Sequence, residues 1–184
     1  MPPWVLVTSR EEKAREAGRM GFAVEHVDLD LLEPQALDPS EVVEAKAREA
    51  WRALRRPVVV EDSGLHLRAW GGFPGALVKW IEKSTGVGAI PRMLDAWEDR
   101  GATASCVLAF FDGQELQVGR GEVSGRIVQV PRGSGGFGWD TIFEPEGERR
   151  TFAEMAPEEK DRISHRRRAW EALAQALQRK GVPR

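Results

Sequence analysis

Asp112-Gly113, set between the apolar-rich runs 104–111 and 115–130, constrains this chain more than any other feature. An Asp-Gly pair between two such runs is a hairpin signal, because tight hairpin turns need left-handed backbone at their centre. It commits the second half to antiparallel neighbours. The first half reads differently. Residues 4–7 form a short apolar strand, and Thr8-Ser9 can cap a helix from about 10 to 21. A second strand follows over 22–27. Ser40 is the expected N-cap of a helix over 41–55, and the Val-rich strand 57–60 then ends in a turn at Glu61-Asp62-Ser63-Gly64. Residues 65–70 continue extended, Pro74-Gly75 turns, and helices follow over 76–83 and 90–99. After the hairpin come a glycine loop, a strand at 141–144, a helix around 153–154 and a last helix over 160–180. Strand-helix alternation followed by a hairpin predicts an α/β fold with a mixed β-sheet and flanking helices, not a doubly wound parallel sheet.

Composition narrows the function classes. The chain has 184 residues, of which 41% are hydrophobic, enough for one substantial core. Its formal net charge of −2 offers no basic excess for nucleic acid. No apolar run approaches the ~20 residues of a membrane span, and the first residues lack a signal-peptide pattern. The single cysteine, Cys106, lies in an apolar strand and suits a reducing, cytoplasmic setting.

Four segments look chemical rather than structural. In Gly133-Ser-Gly-Gly-Phe-Gly-Trp-Asp140 the glycines match G-x-G-x-x-G, but a strand rather than a helix is expected next, which rejects a dinucleotide fingerprint. The remaining expectation is a ligand loop carrying Phe137, Gly138, Trp139 and Asp140. Thr8-Ser9-Arg10 with Lys13 sits where a strand hands over to a helix N-terminus, a setting that suits phosphate. Glu61 and Asp62 are adjacent carboxylates at a strand end and must point to opposite faces. Asp62, as the last residue before the turn, is either the functional one or a turn former. Ser164-His165-Arg166 opens a helix with cations against the dipole, which suggests a bound counter-charge, and Lys160 lies about one turn earlier. The histidines lack zinc-ligand spacing, and Gly-x-Ser-x-Gly is absent.

Taken together in this order, Thr8…Lys13, Val60-Glu-Asp-Ser-Gly-Leu65, Gly71-Gly-Phe-Pro-Gly75, Ser124-Gly-Arg-Ile127, Phe137-Gly-Trp-Asp140, Thr151-Phe-Ala-Glu-Met155 and Glu159-Lys160…Ser164-His-Arg166 resemble the inosine triphosphate pyrophosphatase (Ham1/RdgB-like) family from end to end. The resemblance implies an elongated two-lobed mixed sheet with flanking helices and a central cleft, residues 1–184 forming one domain that pairs as a homodimer. It also implies Mg²⁺-dependent hydrolysis of ITP, dITP and XTP to the monophosphate and pyrophosphate.

Carried over by motif, Asp62 would orient or deprotonate the attacking water and bind metal with Glu33. Thr8, Ser9, Arg10, Lys13 and Lys46 would meet the substrate's phosphate end, and Ser63 would also bind substrate. Phe137, Gly138, Trp139 and Asp140 would form the nucleoside pocket, with Lys160, His165 and Arg166 closing the base end. One position departs from the family pattern: Arg10 stands where asparagine is usual, and the whole chain contains no asparagine. Two rivals are a Maf-like nucleotide pyrophosphatase and a nucleotide-binding protein without turnover. The Phe-Gly-Trp-Asp and Ser-His-Arg motifs argue against the first, and the presence of Asp62 and Lys13 against the second.

Overall fold

In the computed structural model, which describes residues 3–180, the hairpin signal marks the centre of one mixed sheet. The strands are β1 (Trp4–Val7), β2 (Val24–Val27), β3 (Val58–Leu67), β4 (Pro74–Gly75), β5 (Gly101–Phe111), β6 (Leu116–Ile127) and β7 (Phe143–Pro145). Their order is β2-β1-β3-β5-β6-β7, with β4 pairing separately with β3. The β1 pairings with β2 and β3 are parallel; β3–β5, β5–β6 and β6–β7 are antiparallel. Asp112 fixes the hairpin by accepting hydrogen bonds from the backbone N–H groups of Gln114 and Glu115, both at 2.8 Å.

The helices are α1 (Glu11–Arg19), α2 (Pro39–Leu54), α3 (Val78–Thr85), α4 (Ala89–Met93), α5 (Pro157–Ile163) and α6 (His165–Arg179). In α2, Val42, Val43, Lys46, Ala47 and Ala50 are buried, a helical stripe laid on one sheet face. In α6 the stripe is Ala169, Trp170, Leu173, Ala174 and Leu177 on the other face. Alternation along β3 and β5 divides the core accordingly. Val59, Cys106 and Leu108 pack with α1 and α6, while Val58, Val60 and Val107 pack with α2. A third cluster, around Leu65, Leu67, Ile90 and Phe143, fills the far end of the same strands. Cys106 is fully buried in its strand.

Helix α6 approaches the sheet so closely that β6 has no room for a side chain at Gly119 or Gly121. A Cβ at Gly121 would lie 2.1 Å from the His165 carbonyl oxygen, and one at Gly119 would lie 2.4 Å from that of Ala169. Glycine here sets the height of the helix that carries His165 and Arg166.

Several sequence expectations need correction. Strand β3 does not turn at residues 61–64 but runs to Leu67, because β5 pairs with it along its whole length. Asp62 is therefore a mid-strand residue. The α2 N-cap is Asp38, whose Oδ1 accepts the Ser40 N–H at 2.9 Å, with Pro39 in the first turn. Arg10, without a side-chain cap, occupies the N-cap of α1 in place of Thr8 or Ser9. Pro74-Gly75 pairs as a short strand. The helix expected over 90–99 shortens to α4 and a 3₁₀ turn at Leu94–Ala96, and 153–154 falls in another such turn, Phe152–Glu154. The last helical stretch breaks at Ser164, the C-cap of α5 and, as foreseen, the N-cap of α6 through its bond from Arg167 N–H at 3.2 Å. The strand expected at 141–144 is Phe143–Pro145, and no helix opens directly after the glycine loop.

Candidate functional site

The site lies at a gap in the sheet. Strand β1 accompanies β3 only as far as Val7 beside Val60, and β4 joins the same edge only at Leu65. Between them Glu61–Gly64 pair with β5 on one side and with no strand on the other. Side chains from both sheet faces can therefore reach one opening. A cleft of ≈ 430 Å³ lies there, lined by Thr8, Ser9, Arg10 and Lys13 from the β1–α1 junction, Glu33 from the following loop, Lys46 from α2, and Asp62 and Ser63 from β3. Phe137, Gly138, Trp139, Asp140, His165 and Arg166 line it as well, as do Lys79 and Glu82 of α3.

Alternation gives the two adjacent carboxylates different surroundings. Glu61 points to the α1–α6 face and is fully buried. Arg166 Nε lies 3.0 Å from each of its carboxylate oxygens, Arg166 Nη2 lies 2.9 Å from Oε1, and Lys13 Nζ is 3.3 Å from Oε1. Burial pushes the Glu61 pKa up, but Arg166 and Lys13 outweigh it and hold the group at about 2. Arg166 also pairs with Glu16, and Glu16 Oε1 accepts from Lys160 Nζ at 2.7 Å. Lys160 in turn donates to Asp140 Oδ2 at 2.5 Å. Glu16, Glu61 and Asp140 thus face Lys13, Lys160 and Arg166, three negative charges against three positive, so burial of the set is electrically balanced.

Asp62 points to the α2 face and is also buried. Its charge is less well compensated: its nearest cation is Lys46, whose Nζ stands 3.9 Å from Oδ1. Burial raises its pKa above the ordinary carboxylate value despite Lys46 and Lys13. Lys46 shows the reciprocal effect. Burial lowers it to about 8 against the pull of Asp62. Its ammonium donates to Glu33 Oε1 at 2.7 Å and to the Glu61 carbonyl at 3.1 Å, filling part of the open β3 edge. Glu33 also pairs with Lys79.

At the other end of the cleft, Trp139 and His165 form an aromatic wall, ring centroids 5.1 Å apart. His165 is 1% exposed, and among the described residues neither ring nitrogen has a hydrogen-bond partner. Burial, then Arg166 and Lys160, drive its pKa well below the usual histidine value, so the ring is neutral at pH 7. Phe137 lies with the Lys160 ammonium 5.0 Å and the Arg166 guanidinium carbon 5.3 Å from its ring centroid. The loop's shape depends on Gly136, at φ +67°, where a Cβ would meet Asp140 Oδ2 at 2.1 Å. That carboxylate accepts the Phe137 N–H at 2.9 Å and so ties the loop to itself.

All but one of the residues singled out from sequence line the cleft; the exception, Lys160, sits behind its wall, 3% exposed. Of the two groups read as cations at the start of α6, Arg166 has internal counter-charges, Glu61 and Glu16, and His165 is neutral, so the conflict with the helix dipole is resolved inside the protein. Sequence reasoning weighed Glu61 but chose Asp62, and gave no site role to Glu16, Lys79 or Glu82. Of these three, Glu16 had a local signal, lying three residues after Lys13 on the same face of α1.

A buried aromatic end with an unpartnered imidazole, joined to an end with lysines and a carboxylate of raised pKa, defines a cleft for a flat heterocycle carrying anionic groups. Comparison with known proteins agrees. Residues 4–176 match the Ham1 family profile, and the chain belongs to that family. It is 42% identical over 173 residues to inosine triphosphate pyrophosphatase 2 of Trypanosoma cruzi, spanning 91% of this chain and 88% of that protein. It is also 42% identical to a dITP/XTP pyrophosphatase of Thermococcus kodakarensis, over 94% and 95% of the two chains. Among solved structures, a HAM1 protein from Coxiella burnetii superposes with a TM-score of 0.83 at 27% identity, covering 97% of this chain and all of that one. No described helix is long and apolar enough to cross a membrane.

Proposed function

We propose that this chain hydrolyses non-canonical purine nucleoside triphosphates (ITP, dITP and XTP) between the α and β phosphates, releasing the monophosphate and pyrophosphate. The observation that carries this reading is His165: a buried, neutral ring with both nitrogens unpartnered, beside Trp139, in the same cleft as Asp62, Lys13 and Lys46. Leaving such polar groups unsatisfied is costly unless a ligand satisfies them. The purine stacks on Phe137 and Trp139, and its 6-oxo group accepts N–H bonds from His165 and Arg166. A 6-amino group presents a donor to the donor-only guanidinium, which disfavours ATP by about a hundredfold or more.

At the other end Lys13, Lys46 and the Thr8–Arg10 backbone hold the phosphates. Asp62, with its raised pKa, accepts the proton of the attacking water. Glu33 and Asp62 come from different segments yet both meet the Lys46 ammonium, so they already converge on one positive charge. Two hard carboxylates so placed fit Mg²⁺, which usually takes one or two carboxylates together with waters and substrate phosphates. When bound, the ion would neutralise phosphate charge. The three core clusters share one sheet, which supports a single domain of two lobes with the cleft between them. The exposed cluster of Phe73 and Trp97 around Trp70 supports a homodimer, testable by sedimentation. The lone buried cysteine supports a cytoplasmic location.

The experiment is pyrophosphate release from ITP with Mg²⁺, run beside ATP and GTP. Fast release from ITP and little from ATP is expected. Equal turnover of all three would sink the role given to His165 and Arg166, and binding of ITP without turnover would favour the non-catalytic reading.

A further inference from the structure

Arg10 and Glu82 face each other across the mouth of the cleft. Arg10 Nη2 donates to Glu82 Oε1 at 3.0 Å, linking the N-cap of α1 to α3. The Arg10 guanidinium carbon is 6.0 Å from the Phe137 ring centroid, and Glu82 Oε2 is 3.7 Å from where a Cβ of Gly138 would stand. The pair therefore spans the entrance beside the glycine loop.

Glu82 differs from the other carboxylates around the cleft. Glu33 and Asp62 meet Lys46, and Glu61 anchors Arg166. Among the described residues Glu82 forms an ion pair with Arg10 alone. Both side chains are partly exposed, at 34% and 25%, so the pair is solvated and weakly held. A polyanionic guest is attracted by Arg10 and repelled by Glu82. A guanidinium binds carboxylate and phosphate by the same forked donors, so one can replace the other without moving the backbone.

We infer that Glu82 is a stand-in anion: it occupies Arg10 while the cleft is empty, and the pyrophosphate portion of the ligand displaces it and takes Arg10 over. The inference rests on the nucleotide-hydrolase reading above and adds a control on affinity at its entrance. Glu82 then weakens ligand binding and product retention alike, and Arg10 is a phosphate ligand held in reserve.

The test is calorimetric titration of inorganic pyrophosphate, in EDTA, into the wild type, Arg10→Gln, Glu82→Gln and the double variant. Arg10→Gln should weaken binding by about tenfold or more, the loss of a charge-assisted bond. Glu82→Gln should tighten it by about two- to fivefold, the strength of a solvated ion pair. Simple removal of a nearby negative charge would also tighten binding, so the double variant decides. In the Arg10→Gln background the tightening by Glu82→Gln should shrink to the direct repulsion alone, since the competition for Arg10 is gone. Equal tightening in both backgrounds, or weaker binding by Glu82→Gln alone, overturns the inference while leaving the nucleotide site intact. Failure of the wild type to bind pyrophosphate both in EDTA and with Mg²⁺ added overturns the functional reading itself, and this inference with it; binding only with Mg²⁺ moves the same four titrations into Mg²⁺ buffer, where the same outcomes decide.

Discussion

Replacing Glu61 by Gln and Asp62 by Asn should give opposite outcomes from neighbouring positions. The Glu61 carboxylate balances a buried set of three cations, and its loss leaves three positive charges against Glu16 and Asp140. Removing one partner of a buried ion pair costs about 3–5 kcal/mol. The pKa gives a figure of the same order: a shift from 4.5 to about 2 corresponds to on the order of 3 kcal/mol of stability. In a chain of this length that lowers the melting temperature by about 6–12 °C. Because the folded pKa is depressed, this stabilisation is present above about 4.5 and is lost as pH falls towards about 2. Glu61→Gln should therefore also flatten the acid side of the stability curve. Asp62 has the opposite sign. Its raised pKa means that its charge opposes folding at neutral pH, so Asp62→Asn should melt no lower than the wild type while losing turnover. Thermal melts across pH, paired with pyrophosphate release from ITP, separate the two. A Glu61→Gln protein that melts within about 2 °C of wild type would refute the charge-balance reasoning. Near-normal turnover by Asp62→Asn would refute its assignment as the proton acceptor.

Other expectations follow from the same geometry. Lys46, lowered to about 8 by burial, must be charged to hold phosphate, so pyrophosphate affinity should fall as pH rises through about 8, by up to tenfold per unit. The same group affects stability in the reverse direction: between about 8 and 10.5 the unfolded chain binds more protons, so this contribution rises with pH. Lys46→Met should remove the affinity step, and its persistence would reassign it to another group. Gly121→Ala places a Cβ against the His165 carbonyl and should lift the start of α6. Discrimination between ITP and ATP should drop more than pyrophosphate affinity, and an unchanged ITP:ATP ratio would show that the helix absorbs the shift.

Much of the architecture was readable from local pattern. Asp112-Gly113 placed the hairpin, the Val-rich run placed the start of β3, and Ser164 marked the start of α6. What escaped depends on partners far along the chain. Whether β3 stops at Glu61 or reaches Leu67 is decided by its pairing with β5, not by the turn-like composition of Glu-Asp-Ser-Gly. The choice of Asp62 over Glu61 came from its supposed place at a turn, yet what distinguishes the two is which helix covers each face. Arg166 looked like a cation awaiting a ligand because its carboxylates, Glu61 and Glu16, lie more than a hundred residues earlier in the sequence.

The interrupted pairing along one edge of β3 has a mechanical consequence. β3 and β5 continue unbroken past the gap, so the two sides of the cleft are joined by a hydrogen-bonded ribbon rather than by a free linker. Any change in aperture must be taken up as bend and twist spread along that ribbon, and its ladder supplies the restoring force. The sheet acts as a leaf spring: it sets the resting width, and ion pairs at the mouth only adjust its tension.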